Sequence, residues 1–166
     1  MDSITRLAGQ LGGVLRERGW QVATAESCTG GGVAEAITRI AGSSAWFEAG
    51  YVTYSNRQKT LQLGVPEALF MQVGAVSREV VEAMARGALQ HSGAQLAVAI
   101  SGIAGPGGGS AEKPAGTVWF AWAGADSCYS VCRLFSGDRQ AVREQAVAQA
   151  LHGLWRLAVG ENPLQG

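Results

Sequence analysis

Lysine is nearly missing from this chain: Lys59 and Lys113 stand against eleven arginines. Arginine stays protonated at neutral pH and accepts no proton, so a lysine acting as a base has only two places to be. Histidine, the more usual base, is equally scarce, and His91 and His152 both fall inside expected helices, away from every glycine-rich turn. Cysteine is sparse and unpatterned. Cys28, Cys128 and Cys132 are odd in number, show no CxxC spacing and have no histidine nearby, which argues against a disulfide framework or a zinc site. Net charge is lacking too, since thirteen basic residues balance thirteen acidic ones. There is no electrostatic footprint for non-specific binding to nucleic acid or an anionic membrane, and an anionic ligand needs a local site. No stretch approaches the ~18 uninterrupted apolar residues of a membrane helix, and the start of the chain has no basic segment followed by an apolar run. These absences describe a cytoplasmic protein that needs no metal.

What is present suits a single domain spanning 1–166, long enough to bury a core without disulfides. Ile4, Leu7, Leu11, Val14 and Leu15 recur at helical spacing, and Gly19 is placed to stop that helix. The segment 21–25 reads as a short buried strand running into Glu26-Ser27-Cys28-Thr29-Gly30-Gly31-Gly32. The next helix carries Val33, Ala36, Ile37 and Ile40 on one face, with Gly42 closing it. Strand, polar-glycine turn and helix form an arrangement in which free backbone N–H groups attract anions. The plainer reading makes Ser27 or Thr29 an N-cap and the glycines a turn.

The segment 46–54 alternates like a strand, and Ser55-x-x-Gln58 has the form of a capping box that opens a helix with Lys59 about one turn inside it. Ser55 is thus a cap rather than a nucleophile. Short and long helices follow at 66–73 and from Ser77. A strand at 96–100 then enters a second polar-glycine turn, Ser101-Gly102-Ile103-Ala104-Gly105-Pro106. The segments 116–123 and 128–135 read as a hairpin, and 138–159 as a closing helix. Helices on a mixed, mostly parallel sheet make an α/β domain of three layers, an α/β/α sandwich, with ligands expected beyond the carboxyl ends of the parallel strands.

The richest stock of reactive groups lies between Gly42 and Lys59, with Ser43, Ser44, Tyr54, Ser55 and Lys59. A serine hydroxyl attacks well only when a base takes its proton, and lysine serves only if its pKa falls well below ~10.4. Burial lowers it, and so does the positive field at a helix start. Cys28 is a rival nucleophile, although a small buried cysteine after a strand is its commoner fate. Tyr54 and Lys59 are five apart rather than the four of the short-chain dehydrogenase pair, and no GxGxxG follows the first strand. The loop at 105–117 lacks GK[ST], which removes a Walker-type phosphate loop.

AESCTGG at 25–31, GSSAWF at 42–47, VTYSNRQK at 52–59, GAVS at 74–77, SGIAGPGGG at 101–109, KPAGTVW at 113–119 and FSGDR at 135–139 together resemble the CinA C-terminal domain family. The resemblance covers nearly the whole chain in the family's order. It implies an amidase that hydrolyses the carboxamide of nicotinamide mononucleotide (NMN), in pyridine nucleotide recycling, giving nicotinic acid mononucleotide and ammonia. Cofactors are not expected; a serine and a lysine are, in an α/β/α homodimer. Carried onto this chain, the nucleophile falls on Ser44, the base on Lys59 and an assisting phenol on Tyr54. Substrate-binding positions fall on Ser27, Thr29, Gly30 and Gly31, on Ser101, Gly102 and Ala104, and on Arg139. Arg139 and Arg143, at the start of the last helix, both remain open as partners of the phosphate. Fold does not secure activity, so a silent nucleotide-binding or regulatory module is the alternative.

Overall fold

The structure, a computed structural model, describes residues 2–164. The first helix, α1 (Ser3–Arg18), opens where the Asp2 side chain accepts from the Thr5 N–H and ends at Gly19 in the left-handed region, as its spacing predicts. Strand β1 (Val22–Glu26) is buried at every position. The helix after the glycine turn, α2 (Gly32–Thr38), is shorter than its apolar spacing suggests. Gly42, expected to close it, instead sits at φ 86° and opens a single 3-10 turn, Ser43–Ala45, ahead of β2 (Phe47–Val52).

Ser55 caps α3 (Asn56–Leu63) by accepting from the Gln58 N–H at 3.2 Å, which is the N-cap half of the expected capping box, while the Gln58 side-chain oxygen accepts from Gln62 Nε2 at 2.8 Å. Two helices follow, α4 (Glu67–Gln72) and α5 (Arg78–Ser92), the latter capped by Ser77. Then come β3 (Leu96–Gly102) and the hairpin of β4 (Thr117–Gly124) and β5 (Ser127–Leu134). The last element, α6 (Arg139–Ala158), is capped by Asp138.

The sheet runs β2-β1-β3-β4-β5, parallel across its first three strands and antiparallel on both sides of β4, so four of five strands point one way. Its two faces differ in bulk. Val22, Val98, Ile100, Val118, Phe120 and Trp122 point toward α1, α2 and α6. Ala23, Ala25, Ala97, Ala99, Ala121 and Ala123 point toward α5, which the small side chains allow to lie close. The bulky face needs a matching recess: Trp122 lies fully buried against Gly153 of α6, where any Cβ would overlap the indole, and its Nε1 donates to the Ala150 carbonyl at 3.0 Å. The result is the three-layer sandwich expected from the sequence.

Register sets up the site. Glu26 pairs with Val52 on one side and with Ile100 on the other, so three parallel strands finish together. The segments leaving them, beginning at Ser27, Thr53 and Ile103, gather at one edge, where α/β sheets bind ligands.

Candidate active site

Lys59 is 1% exposed. It sits on the inner side of α3, and a helical side chain leans toward the start of its helix. There its Nζ donates to the Tyr54 carbonyl at 2.8 Å and lies 3.0 Å from Ser27 Oγ. Ser27, 8% exposed, continues the line of β1, with its own N–H bonded to the Ile100 carbonyl at 3.0 Å. Two elements 32 residues apart are thus fixed by backbone hydrogen bonds so that one amine meets one hydroxyl.

Burial pushes the Lys59 ammonium down to about 8, against an opposing influence from Cys28. The neutral amine has two N–H groups and one lone pair. One N–H serves the Tyr54 carbonyl, which leaves the lone pair able to accept the Ser27 proton.

This pair borders a cavity of about 190 Å³. Ser101, Gly102 and Ala104 from the second polar-glycine turn form one wall, and Ala75 and Val76 form another. The walls are tied together: Ser101 Oγ donates to the Ala75 carbonyl at 2.9 Å, and Lys113 Nζ donates to the Val73 carbonyl at 2.8 Å. Lys113 therefore holds a loop, and Lys59 is the lysine of the cavity. At the rim, Arg139 donates to the Gly105 carbonyl at 3.0 Å and to the Tyr54 hydroxyl at 3.1 Å. Arg139 also borders a second cavity of about 410 Å³, which it shares with Thr29, Gly32 and Arg143, and with the acidic Glu35 and Glu144.

A family model for the CinA C-terminal domain matches residues 4–158. The chain belongs to the CinA C-terminal domain family. This CinA domain is 68% identical over 157 residues to a protein of Pseudomonas putida named nicotinamide-nucleotide amidohydrolase PncC, covering 95% of this chain and 98% of that protein. A protein of the same name from Shigella flexneri is 58% identical over 158 residues, covering 93% and 94% of the two chains. Among solved structures, a competence-damaged protein (CinA) superfamily protein from Klebsiella pneumoniae matches with a TM-score of 0.91 at 39% identity, over 95% of this chain and 99% of that one.

Within this CinA domain the residues expected to act together divide into two groups. Lys59, Tyr54, Ser27, Ser101, Gly102, Ala104 and Arg139 all border the smaller cavity. Ser44 does not. It lies exposed in the 3-10 turn before β2, whereas Lys59 lies after β2. A strand of six residues separates the two, about 20 Å at the usual rise per residue. The Trp46 carbonyl next to that turn accepts from the Val22 N–H, which fixes the turn at the start of β1, while Ser27 follows its end. The pairing of Ser44 with Lys59 is therefore corrected: the serine that meets the lysine is Ser27.

The expected anion site at the start of α2 is corrected as well. Those backbone N–H groups are taken by a side chain of the protein itself, for Glu26 accepts from Val33 N at 2.9 Å, from Ala34 N at 3.0 Å and from the Thr29 hydroxyl at 2.6 Å. Glu26 is fully buried, so the positive end of the helix is answered internally. Gly30 and Gly31, at φ 59° and 101°, shape the turn, and neither borders the two cavities described. Thr29 spends its hydroxyl on Glu26 and borders the larger cavity.

Cys28 is buried beside Ser27, and burial raises its thiol to about 11, which leaves almost no thiolate at neutral pH. His91 and His152 border neither cavity. Among the described residues no three or more His, Cys, Asp or Glu side chains are grouped to hold a metal, and no helix is long and apolar enough to cross a membrane. Sequence reading missed Glu26 and Asn56. The signal for Glu26 was an acidic residue closing a buried strand, and for Asn56 its position one helical turn before Lys59.

Proposed function

We propose that this chain hydrolyses the carboxamide of NMN to nicotinic acid mononucleotide and ammonia, with Ser27 as nucleophile and Lys59 as its base. The observation that carries the reading is the 3.0 Å approach of a buried lysine amine to a serine hydroxyl at the edge of a cavity, where burial lowers the pKa of that amine. Support for the substrate comes from the relatives of 68% and 58% identity, both named for nicotinamide-nucleotide amidohydrolysis.

In this mechanism neutral Lys59 takes the Ser27 proton as Oγ attacks the carboxamide carbon. The resulting ammonium gives that proton to the departing nitrogen, so ammonia leaves and an ester to Ser27 remains. Water then attacks the ester, Lys59 accepts its proton and returns it to Ser27, and the acid departs. One amide and one water become one acid and one ammonia. The Tyr54 hydroxyl and Arg139 hold the rim, where Arg139, with Arg143 in the adjoining cavity, meets the phosphate. Binding energy from that remote group holds the carboxamide against Ser27.

The reading includes a cytoplasmic homodimer in pyridine nucleotide recycling, without nucleic-acid partners. Zero net charge and three unpaired cysteines agree with a small-molecule enzyme of a reducing compartment. Ammonia release from NMN by the purified, metal-free protein is the test. Binding of NMN without release would instead make the chain a silent nucleotide-binding module, and neither binding nor release would sink the substrate assignment altogether.

A further inference from the structure

Most polar side chains around the smaller cavity already have a partner inside the protein. Ser27 and Lys59 meet each other, the Tyr54 hydroxyl accepts from Arg139, and Ser101 donates to a carbonyl. Asn56 borders the same cavity, and among the described residues nothing bonds to its side-chain amide. Its presence is not explained by helix chemistry. Ser55 supplies the cap of α3, and asparagine has a poor helix propensity in the position that follows. Asn56 and Lys59 are three apart on one helix, which makes them neighbours about 5–6 Å apart at Cβ. The Lys59 side chain, leaning toward the helix start, brings its Nζ to the Tyr54 carbonyl only two residues before Asn56. A free side-chain amide therefore borders the same cavity as the reacting amine, one helical turn before it.

We propose that Asn56 is a specificity-determining residue whose side-chain amide hydrogen-bonds the reacting carboxamide of the substrate. The proposal rests on the NMN amidase reading above. An amide offers both an acceptor and a donor, so Asn56 can turn its oxygen to the N–H of a bound carboxamide and keep the departing nitrogen near Lys59. The carboxylate of the acid product has only acceptors, and Asn56 meets it by turning its own NH₂ outward. Asparagine thus suits both ends of the reaction. An aspartate at this position accepts only: it still receives the N–H of the amide but repels the acid.

The experiment uses the full chain carrying Ser27→Ala, so that turnover does not consume the ligand. Binding of NMN and of nicotinic acid mononucleotide is measured by calorimetry, before and after adding Asn56→Asp. Asn56 is exposed, and an acidic residue in the first turn of a helix is favourable, so this variant folds. Repulsion of either phosphate by the new charge is common to both ligands and cancels in their ratio. The preference for amide over acid should rise by about tenfold or more, the effect of exchanging one hydrogen bond for a charge repulsion. Asn56→Ala should weaken NMN binding by about tenfold, through loss of a single hydrogen bond. If both ligands bind and aspartate leaves their ratio unchanged, Asn56 does not face the reacting group and the proposal falls alone. If neither nucleotide binds the Ser27→Ala protein, the NMN reading falls and takes this proposal with it.

Discussion

Glu26 and Ser27 are neighbours in sequence whose side chains leave the end of β1 for opposite faces of the sheet. Glu26 fastens the start of α2 through Val33 N and Ala34 N, and Ser27 meets Lys59 of α3 on the other side. The alternation of an extended chain explains this. One buried residue anchors the turn from the helix side, which leaves the next free to present its hydroxyl to the cavity.

The first prediction separates the two serines. Ser27→Ala should lower ammonia release from NMN by about 10³-fold or more while NMN still binds, as expected for loss of a nucleophile. Ser44→Ala, in the exposed turn at the far end of β2, should retain activity within about twofold. Steady-state rates for the two variants decide it, and the opposite pattern would return the nucleophile to Ser44.

The proposed role of Lys59 carries a pH dependence. With the neutral amine as the base and its pKa lowered to about 8, kcat/KM should rise with pH, reach half its plateau near that value and level off above it. Lys59→Arg keeps the charge and loses the proton acceptor, which should cost about 10²-fold or more in rate. Stability follows the same titration. Between about 8 and 10.5 the unfolded chain holds a proton on Lys59 that the folded chain has released, so this residue's contribution to stability grows as pH rises through that window. Below it both states are protonated, and the folded state carries the cost of a buried ammonium. Urea midpoints of the parent and Lys59→Met, compared across this range, should converge or cross in favour of the parent as pH increases; a constant gap would contradict the assignment.

Glu26 should matter chiefly for stability. Glu26→Ala strands Val33 N, Ala34 N and the Thr29 hydroxyl in a buried place, and its loss should amount to roughly 3 kcal/mol or more. Urea or thermal unfolding measures this, with a fall in Tm on the order of 10 °C. A change below about 1 kcal/mol would mean that water replaces the carboxylate without difficulty.

Phosphate recognition should depend on arginine, because the start of α2 is occupied by Glu26. NMN, nicotinamide riboside and nicotinamide are to be compared as substrates of the parent and of Arg139→Ala. Removing the phosphate should lower kcat/KM in the parent by about tenfold or more, and by a smaller factor in the variant. Equal reaction of the riboside and NMN in the parent would show that the rim carries no phosphate site.

The layering of the fold was legible locally. Helix periodicity, caps at Ser55 and Ser77, the stop at Gly19, and the late hairpin are short-range signals, and each of these elements formed where its signal lay. The end of α2 was less legible, since Ile40 continues the apolar spacing after the chain has left the helix, and Gly42, read as its stop, opens the 3-10 turn instead. Of the cavity, sequence singled out Lys59, Tyr54, Ser27, Arg139 and the second polar-glycine turn, all of which border it.

Two matters were decided only in three dimensions. Ser44, the position implied by the resemblance, and Ser27 lie 15 and 32 residues from Lys59, and the one more distant in sequence is the one that meets its amine. A parallel strand carries the chain from one end of the sheet to the other, so residues before and after β2 are separated while the ends of β1 and β2 are brought together. The turn after β1 likewise looked ready for an outside anion, and whether its N–H groups were free depended on where the Glu26 side chain pointed. Residue types determined which chemistry was available to this protein; strand direction and the facing of one buried carboxylate decided which of those residues stand together at the cavity.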